Sequence, residues 1–552
     1  MKTVRLGTEY RFSIISARRR LHNDMPQPAQ SAHAAGKVSI AVFLSRILGL
    51  VRDQVFANLF GAGLYNDAWL VAFRIPNLLR DLFAEGALSA AFVPTFTEFL
   101  HKKSRAEAWV LANLVLSALM VLLGGFALLL PLIAEPFVYL LAAGFAEVPG
   151  KVEITSNLVR ILSPFLMLVA MASVGMAILN TFNHFFIPAL APALFNVAVI
   201  GAGLVLAPQF DRWEILPIYA MGVGALLGGV LQYLVQLPLM RRHGYRFEFR
   251  LVLRHEGVRK ISRLIAPAIV GVSAVQINVL VNTQIASFLQ ENGPVSWLSY
   301  AFRIIYLPIG LFGVAVGVVN LREVSVFAAR ENWEELKATV ANSIKLISIL
   351  AVPSSVGLIV LAIPVVDVLF ERGGFTATDT LYTGYAVICY SLGLFAYSCM
   401  KVYVPTFYAL NDTRTPVRIS MIAVLCNLVI NLILVFFVLP EGYRFVGLAL
   451  GTALSVTLSY ALLASSFRQR LGSMRNYQVI PTFLKTVVAA AVMGILVFLL
   501  NRYFHGVWEE MNFWQELSSL VACILAGIVI YFGGCRLMRI EETRFLFGWL
   551  RH

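Results

Sequence analysis

Five arginines lie inside apolar stretches that are long enough to cross a bilayer: Arg46, Arg52, Arg74, Arg80 and Arg303. An arginine at the centre of a membrane helix costs roughly 2.5–3.5 kcal/mol on insertion scales, so arginines at that depth need a wet cavity or a partner. A guanidinium group stays charged when buried, and its planar fork donates two hydrogen bonds to one phosphate. The five arginines therefore predict a cavity that receives an anion, and a pyrophosphate suits them well.

Acidic neighbours offer a structural alternative for some of these arginines. Arg52 directly precedes Asp53, and Arg80 is followed by two acids within five residues. Ion pairing, or snorkelling of the side chain to the interface, would also account for these two arginines. Arg46 and Arg303 have no acid adjacent in the sequence, so they are the stronger candidates for contact with a substrate anion.

Other polar residues within the apolar spans are weaker candidates. Two asparagine pairs with i, i+4 spacing could offer carbonyl oxygens to a cation, although hydrogen bonding between helices is the favoured interpretation. A lysine among apolar residues of the tenth span could add charge to a cavity or snorkel to the interface. The secondary cavity or gating candidates are Arg74, Glu85, Lys401, Asn278, Asn282, Asn427 and Asn431.

The composition indicates which elements must position these residues. The chain has 552 residues, of which 59% are hydrophobic and only 13% are charged, and the mean hydropathy is +0.78. These values are typical of an all-α polytopic membrane protein. A span needs about 20 apolar residues. The sequence predicts fourteen transmembrane helices, centred near residues 48, 80, 120, 168, 197, 228, 277, 312, 350, 392, 426, 456, 490 and 526.

Basic and non-basic connections alternate between the predicted spans. Because Lys and Arg are enriched in cytoplasmic loops, this alternation predicts that both termini face the cytoplasm. The net charge of +14 lies mostly in these connections and in the N-terminal tail. We interpret the charge as a determinant of orientation and of attraction to anionic membrane lipids, and we expect no nucleic-acid partner.

A short internal repeat divides the chain. Ala-Phe-Arg-Ile occurs at 72–75 and again at 301–304, each time a few residues after a tryptophan. Asn183 with Pro188 is echoed by Asn411 with Pro416 in nearly the same register. The echoes predict two six-helix lobes related by a pseudo-two-fold axis along the membrane normal, with substrate between them. The predicted segments are a disordered basic cytoplasmic tail (1–37), an N-terminal lobe (38–245), a basic amphipathic cytoplasmic linker (246–262), a C-terminal lobe (263–470), and two further spans with a tail (471–552).

The sequence contains no arrangement typical of an enzyme. It has no Walker loop, no aspartate-rich Mg²⁺ motif, no His or Cys metal-ligand spacing and no recognisable Ser-His-Asp arrangement. We therefore expect a transporter without a cofactor, driven by the membrane potential, by a monovalent cation gradient or by the gradient of its own substrate.

Several motifs together resemble a known family. They include residues 45–53 (SRILGLVRD), 74–80 (RIPNLLR), 83–87 (FAEGA) and 188–192 (PALAP). In these motifs the chain strongly resembles the MurJ (MviN) lipid II flippases of the multidrug/oligosaccharidyl-lipid/polysaccharide exporter superfamily. The resemblance extends over nearly everything after residue 38. It implies a multi-pass protein of the bacterial inner membrane that moves lipid II, the undecaprenyl-pyrophosphate-linked peptidoglycan precursor, to the outer leaflet by alternating access.

The resemblance also implies roles for particular residues. The cavity residues on which family members rely match Arg46, Arg52, Asp67, Arg80 and Arg303, and the last two spans would form a groove for the lipid tail. Some relatives bind sodium through acids in spans seven and eleven, where this chain has asparagines. The expected partners are lipid II, membrane lipids and the cell-wall synthesis machinery. A flippase for another lipid-linked oligosaccharide, such as an O-antigen type, or a cation-coupled drug exporter of the superfamily is the alternative.

Overall fold

The computed structural model describes residues 28–74, 76–78, 87–252, 254–289, 292–507, 512–540 and 542–543. All regular structure in this part of the chain is helical, and the described residues include no strand. The helices of the first half are α1 (Pro28–Phe60), α2 (Leu64–Ala72), α3 (Ala87–Lys102), α4 (Arg105–Leu129), α5 (Ala134–Ala142), α6 (Lys151–Leu162), α7 (Phe165–Thr181), α8 (Phe186–Gly201), α9 (Ala207–Arg212), α10 (Ile218–Leu234) and α11 (Leu237–Arg242).

The second half continues the same pattern of long helices separated by short ones. Its helices are α12 (Glu256–Ser287), α13 (Pro294–Pro308), α14 (Ala315–Ala329), α15 (Trp333–Val360), α16 (Ala362–Phe370), α17 (Ala377–Ser391), α18 (Leu394–Ala409), α19 (Arg414–Ile433), α20 (Arg444–Leu471), α21 (Val479–Val507) and α22 (Phe513–Leu537). Wider π-helical turns join α8 to α9 and α13 to α14, and another extends α19.

Nine helical stretches among the described residues are long and apolar enough to cross a membrane. Two bent pairs, α6 with α7 and α17 with α18, raise this number to eleven if each pair is one span. The eleven coincide with eleven of the fourteen predicted spans. The first and seventh predicted spans correspond to the long helices α1 and α12, and much of the second, near residue 80, lies outside the described residues.

The bundle has two distinguishable ends. At one end lies the segment that connects α11 to α12, and we call this the linker end. Helix α1 runs from the linker end to the opposite, far end, parallel to α8, because Ser45 and Asn196 make contact in mid-helix while Leu59 reaches Gly203 further along. Helix α13 begins at the far end and runs back toward the linker end. The antiparallel arrangement of α1 and α13 positions the candidate site.

The linker itself is extended before α12 begins at Glu256. It is held against α4 by two hydrogen bonds: the Asn113 side chain donates to the Arg246 carbonyl over 2.9 Å, and the Arg250 amide donates to the Ser117 hydroxyl over 3.0 Å. Apolar and charged side chains alternate along it, as they do in an extended segment with two unlike faces. The segment predicted as an amphipathic linker therefore has an extended first half and a helical second half.

The last two helices pack as a pair against the second half. Buried side chains of α21, including Ala490 and Met493, contact α15, and the Tyr531 hydroxyl of α22 donates a 2.8 Å hydrogen bond to the Ile349 carbonyl. At the other terminus, α1 begins at Pro28, within the segment predicted as a tail, and residues 1–27 lie outside the described part of the chain.

Candidate functional site

A cavity of about 230 Å³ lies between α1, α2 and α13, with three arginines in its wall. The arginines are Arg52 from α1, Arg74 from the turn after α2, and Arg303 from α13. Asp53 is the carboxylate that the cavity contains, and aromatic side chains of all three helices complete the wall. Among the described lining residues, three guanidinium groups and one carboxylate face the cavity, so its wall is suited to an anion.

The Asp53 carboxylate holds two of the arginines together. Arg52 donates to Asp53 Oδ1 from Nη2 over 2.8 Å and from Nε over 3.2 Å. Arg303 Nη1 lies 2.6 Å from Asp53 Oδ2 on the opposite side of the carboxylate. Asp53 is buried, whereas the Arg303 side chain is 45% exposed and reaches the cavity. An arginine from each half of the chain therefore meets at one carboxylate.

This pairing corrects part of the sequence interpretation. Arg303 has no acid beside it in the sequence, but the antiparallel packing of α1 and α13 places Asp53 against it. The ion pair of Arg52 with its neighbour, which was the structural alternative, does form, and Asn196 accepts a further hydrogen bond from Arg52 Nη1 over 3.2 Å. Both arginines are thus partly neutralised in this conformation.

Arg46 lies on a different level of the bundle from this cluster. Six residues separate it from Arg52, which is about 9 Å along the helix axis. Its guanidinium reaches the second half of the chain at Gly310, where a Cβ would lie 3.4 Å from Arg46 Nη1. Arg52 and Arg303 are therefore arranged as a pair, and Arg46 lies apart from them, further toward the linker end.

The remaining predicted cations have separate positions. Arg74 lines the cavity and donates from Nη2 to the Thr283 hydroxyl of α12 over 3.0 Å. Lys401 is exposed on α18, and its backbone carbonyl lies against Gly317. Arg80 and Glu85 fall outside the described residues.

Asp67 does not line the cavity in this conformation. Its carboxylate is 1% exposed and accepts four hydrogen bonds: from Lys151 Nζ, from the Gly293 and Ser296 amides at 2.9 Å, and from the Ser296 hydroxyl at 2.5 Å. The two amides belong to the first turn of α13, where the helix dipole favours a negative charge. Asp67 therefore joins α2 of the first half to α13 of the second half at the far end.

Tight backbone contacts also hold the two halves of the chain together at the far end. A Cβ at Gly61 would lie 2.2 Å from the Gly374 carbonyl oxygen, and one at Gly144 would lie 2.3 Å from the Ser287 carbonyl oxygen. The Gly374 amide also donates to the Asn58 carbonyl over 2.8 Å. Because each contact joins the first half of the chain to the second, the far end is sealed by backbone as well as by Asp67.

The asparagine pairs form a network between helices. Asn431 donates from Nδ2 to Asn282 Oδ1 over 2.7 Å and to Asn427 Oδ1 over 3.0 Å. Asn427 and Asn282 donate in turn, at 3.3 Å each, to Ser455 and Thr452 of α20. The network matches the hydrogen-bonding interpretation of these residues. Asn278 lies one turn earlier on α12 and is half-buried.

Two acidic or basic residues outside the predicted site take part in these contacts. Asp53 follows Arg52, and its i+7 spacing from Arg46 places both on one face of α1, but the sequence did not indicate its pairing with Arg303. Lys151 lies in a segment with acidic residues on both sides, and nothing local marks it as buried. In the structure it is 1% exposed, pairs with Asp67 at 2.9 Å, and lies over the Phe145 ring at 4.2 Å.

The chain is similar to known proteins over most of its length. A family model described as "Lipid II flippase MurJ" matches residues 56–518. The chain belongs to the MurJ lipid II flippase family. A relative from Haemophilus influenzae, described as a probable lipid II flippase MurJ, is 34% identical over 520 residues, which are 91% of this chain and 99% of that protein.

Solved structures agree with this assignment. A structure titled "Lipid II flippase MurJ, inward closed conformation" has a TM-score of 0.75 and 28% identity, and the match covers 92% of this chain and 99% of that one. An inward-facing transporter of the multidrug MATE family gives a TM-score of 0.66 at 14% identity over 80% of this chain and 99% of its own. The second likeness concerns the fold alone.

Proposed function

We propose that this chain is a lipid II flippase, which moves undecaprenyl-pyrophosphate-linked peptidoglycan precursor from the inner to the outer leaflet of the bacterial cytoplasmic membrane. Family membership supports the substrate class, and the cavity supports the chemistry. The observation that carries the proposal is the pair of guanidinium groups, Arg52 and Arg303, that meet from the two halves of the chain within hydrogen-bond distance of one carboxylate.

A diphosphate is the part of the substrate that this cavity selects. The diphosphate oxygens can replace the Asp53 carboxylate as the partner of Arg303. They can also accept bidentate hydrogen bonds from the guanidinium groups of Arg52 and Arg303. Arg46, further toward the linker end, would meet the diphosphate first if the substrate enters from that side. A drug exporter of the superfamily that carries cations would need an excess of acids in its cavity, whereas the described lining residues include three arginines and one carboxylate.

The size of the cavity limits what it holds in this state. Pockets that enclose drug-sized ligands measure about 300–1,000 Å³. At about 230 Å³ the cavity accommodates a diphosphate but does not enclose a disaccharide-peptide head group. We infer that the head group extends toward the linker end, and that the two halves separate further when the full substrate binds.

The far-end closure supports alternating access. Asp67 and the glycine contacts join the two halves at that end, so substrate cannot leave there without breaking them. If the linker end faces the cytoplasm, as its basic residues indicate, this conformation is closed to the outside. Opening toward the outer leaflet then requires the α2–α13 contact to break while the opposite end closes.

The finer architecture belongs to the same proposal. We infer fourteen transmembrane helices, with α1, α12 and a span near residue 80 added to the eleven apolar spans, and with both termini in the cytoplasm. The two six-helix lobes would move against each other about the cavity, and α21 with α22 would form the groove for the undecaprenyl tail. The exposed apolar side chains along these two helices, such as Leu484, Ile495 and Leu525, suit a hydrocarbon partner.

The asparagine network bears on whether a sodium ion could drive transport. Na⁺ sites in proteins use oxygen ligands, and here the amide nitrogens of Asn431, Asn427 and Asn282 point at the oxygens that would otherwise bind a cation. These residues therefore do not fit a sodium ion without amide rotation. We propose that the membrane potential drives transport, and that the chain acts as a transporter rather than as an enzyme.

The decisive experiment measures lipid II in each leaflet. Acute depletion of this protein in cells should trap lipid II in the inner leaflet, and purified protein in liposomes should restore exchange of labelled lipid II without changing it chemically. New covalent products from lipid II would instead favour an enzyme. Exchange of an O-antigen type carrier in place of lipid II would assign the chain to another lipid-linked oligosaccharide.

A further inference from the structure

A second cavity, remote from the arginine cluster, lies at the linker end of the first half. Its volume is about 220 Å³. Its apolar wall is formed by Met120 of α4, Met171 of α7, Leu237 of α11 and Phe247 of the linker. Because each of these residues lies on a different element, the cavity is created by the linker folding back over α4.

A buried phenol points to a missing partner in this cavity. Tyr245 lines it, is 3% exposed, and its hydroxyl has no hydrogen-bond partner among the described residues. Tyr233 lines the same cavity beside it. A buried hydroxyl without a partner costs about 1–3 kcal/mol, so proteins rarely leave one in place. An acceptor on a bound molecule would satisfy it.

The mouth of the cavity is positively charged. Arg241 lines it, and Arg242 and Arg246 are exposed on either side of the turn that follows α11. None of these three makes an ion pair within the described residues, because the nearby Glu248 pairs with Arg250 instead. An apolar interior, a free phenol and an unneutralised cationic mouth are the three parts of a site for an amphipathic anion.

The position of the cavity fits the boundary of the bilayer. Arg241 and Arg242 end an apolar span that begins at Ile218. Beyond Met120, α4 exposes Val121 and Leu122 to the surroundings, as a helix in contact with lipid would. The cavity therefore extends from the headgroup level into the hydrocarbon region.

We propose that this cavity binds one anionic glycerophospholipid, separately from the transported substrate. Part of an acyl chain occupies the apolar interior, the lipid phosphate pairs with the Arg241 guanidinium, and the Tyr245 hydroxyl donates to an ester or phosphate oxygen. The bound lipid holds the extended linker on α4, and it thereby fixes the connection between the two halves of the protein.

Native mass spectrometry of the full chain in detergent, without lipid II, tests this proposal. The probes are phosphatidylglycerol and phosphatidylcholine with the same acyl chains, and the measured quantity is the dissociation constant of the first bound lipid. We expect phosphatidylglycerol to bind roughly tenfold more tightly, since the quaternary ammonium of phosphatidylcholine cancels the negative charge of its phosphate and is repelled by the arginines at the mouth. Arg241→Gln should abolish the preference, and Arg418→Gln, at an exposed arginine of α19, should retain it.

Tyr245→Phe provides a test that does not alter charge. Without lipid the variant should unfold at the same temperature as the parent or higher, because the hydroxyl it loses has no partner. With phosphatidylglycerol it should bind the first lipid several-fold more weakly. Equal binding of the two lipids by the parent, unchanged binding in both pocket variants, or displacement of the lipid by millimolar inorganic phosphate alone would each overturn the proposal.

Discussion

The four hydrogen bonds to Asp67 make Asp67→Asn the most informative perturbation of the transport cycle. Three of the donors, the Gly293 amide and the amide and hydroxyl of Ser296, belong to the second half of the chain. Lys151, the fourth, belongs to the first half, and it also donates to Asn292 of the second half over 3.3 Å. The three cross-connections are therefore the part of the interaction that holds the far end closed.

The expected magnitude follows from these bonds. An asparagine at 67 keeps one acceptor oxygen, but it carries no charge and presents two donors where the carboxylate had an acceptor. The loss of at least one charge-assisted bond costs the closed state about 1.5–3 kcal/mol. It shifts the balance toward far-end opening by roughly ten- to a hundredfold.

Distance measurement between spin labels is the appropriate assay. Labels at Tyr65→Cys and Tyr443→Cys, two exposed far-end positions on opposite halves, would be placed in a variant without the five native cysteines and studied in nanodiscs. Asp67→Asn should broaden the distribution toward longer distances. Asp379→Asn is the matched control, because that carboxylate caps α17 and contacts Trp297 within the second half.

The result that would refute this reasoning is specific. If the distance distribution of Asp67→Asn equals that of the parent, the α2–α13 contact does not hold the far end closed. An equal change in Asp379→Asn would attribute the effect to general loosening of the far end. Addition of Lys151→Met to Asp67→Asn should not restore the closed distances, because it leaves the lost bonds of residue 67 to Gly293 and Ser296 unrepaired and also removes the bond to Asn292.

Three further predictions test other parts of the structure. Arg303→Ala should abolish complementation of flippase-depleted cells at normal protein levels, and Arg303→Lys should retain partial activity because it keeps charge without the fork. Gly144→Ala should prevent far-end closure, since its Cβ would lie 2.3 Å from the Ser287 carbonyl oxygen; loss of transport with retained expression would show this, and normal transport would contradict it. Burial, with Glu516 nearby, raises the pKa of Asp367 in the short helix α16 to about 7, so the melting temperature should fall as pH rises toward 7, and Asp367→Asn should flatten that fall.

The direction of the Asp367 effect follows from linkage. Its ordinary pKa is about 3.8, so the folded state holds a proton that the unfolded state has released between about pH 4 and pH 7. The stabilisation from that proton is complete below the lower value and is lost as pH rises through the upper one. A melting temperature that rises over the same interval, or an identical pH profile in Asp367→Asn, would contradict this assignment.

The cavity arginines could be predicted from the sequence because a charged side chain is costly at membrane depth and therefore indicates a wet cavity or a partner. One cavity is lined by Arg52, Arg74 and Arg303, as the free-energy cost of an arginine in lipid implied. Their partners could not be predicted, because pairing depends on which helices are antiparallel neighbours. Asp53 and Arg303 are 250 positions apart in the chain, and only the packing of α1 on α13 brings them within 2.6 Å.

Asp67 illustrates the opposite difficulty. The resemblance to the family marked it as a cavity residue, whereas the structure places it in a buried contact at the far end. Two of its four donors are backbone amides, and no side-chain pattern in a sequence reveals which amides a helix start leaves open. Family likeness thus pointed to Asp67 by its position in the chain, and the three-dimensional structure shows the contacts that it makes in this conformation.

The placement of Asp53 explains how a cavity for an anion can exist in a membrane without its substrate. Two guanidinium groups facing each other in a poorly hydrated space repel, and the single carboxylate between them reduces that repulsion without cancelling the positive charge. A diphosphate must compete with Asp53 for both forks, which weakens its binding and allows release. Asp53→Asn should therefore tighten binding of lipid II while slowing its exchange between leaflets. A transporter that binds its substrate more strongly in one conformation must overcome that additional binding free energy before it can change to the other conformation.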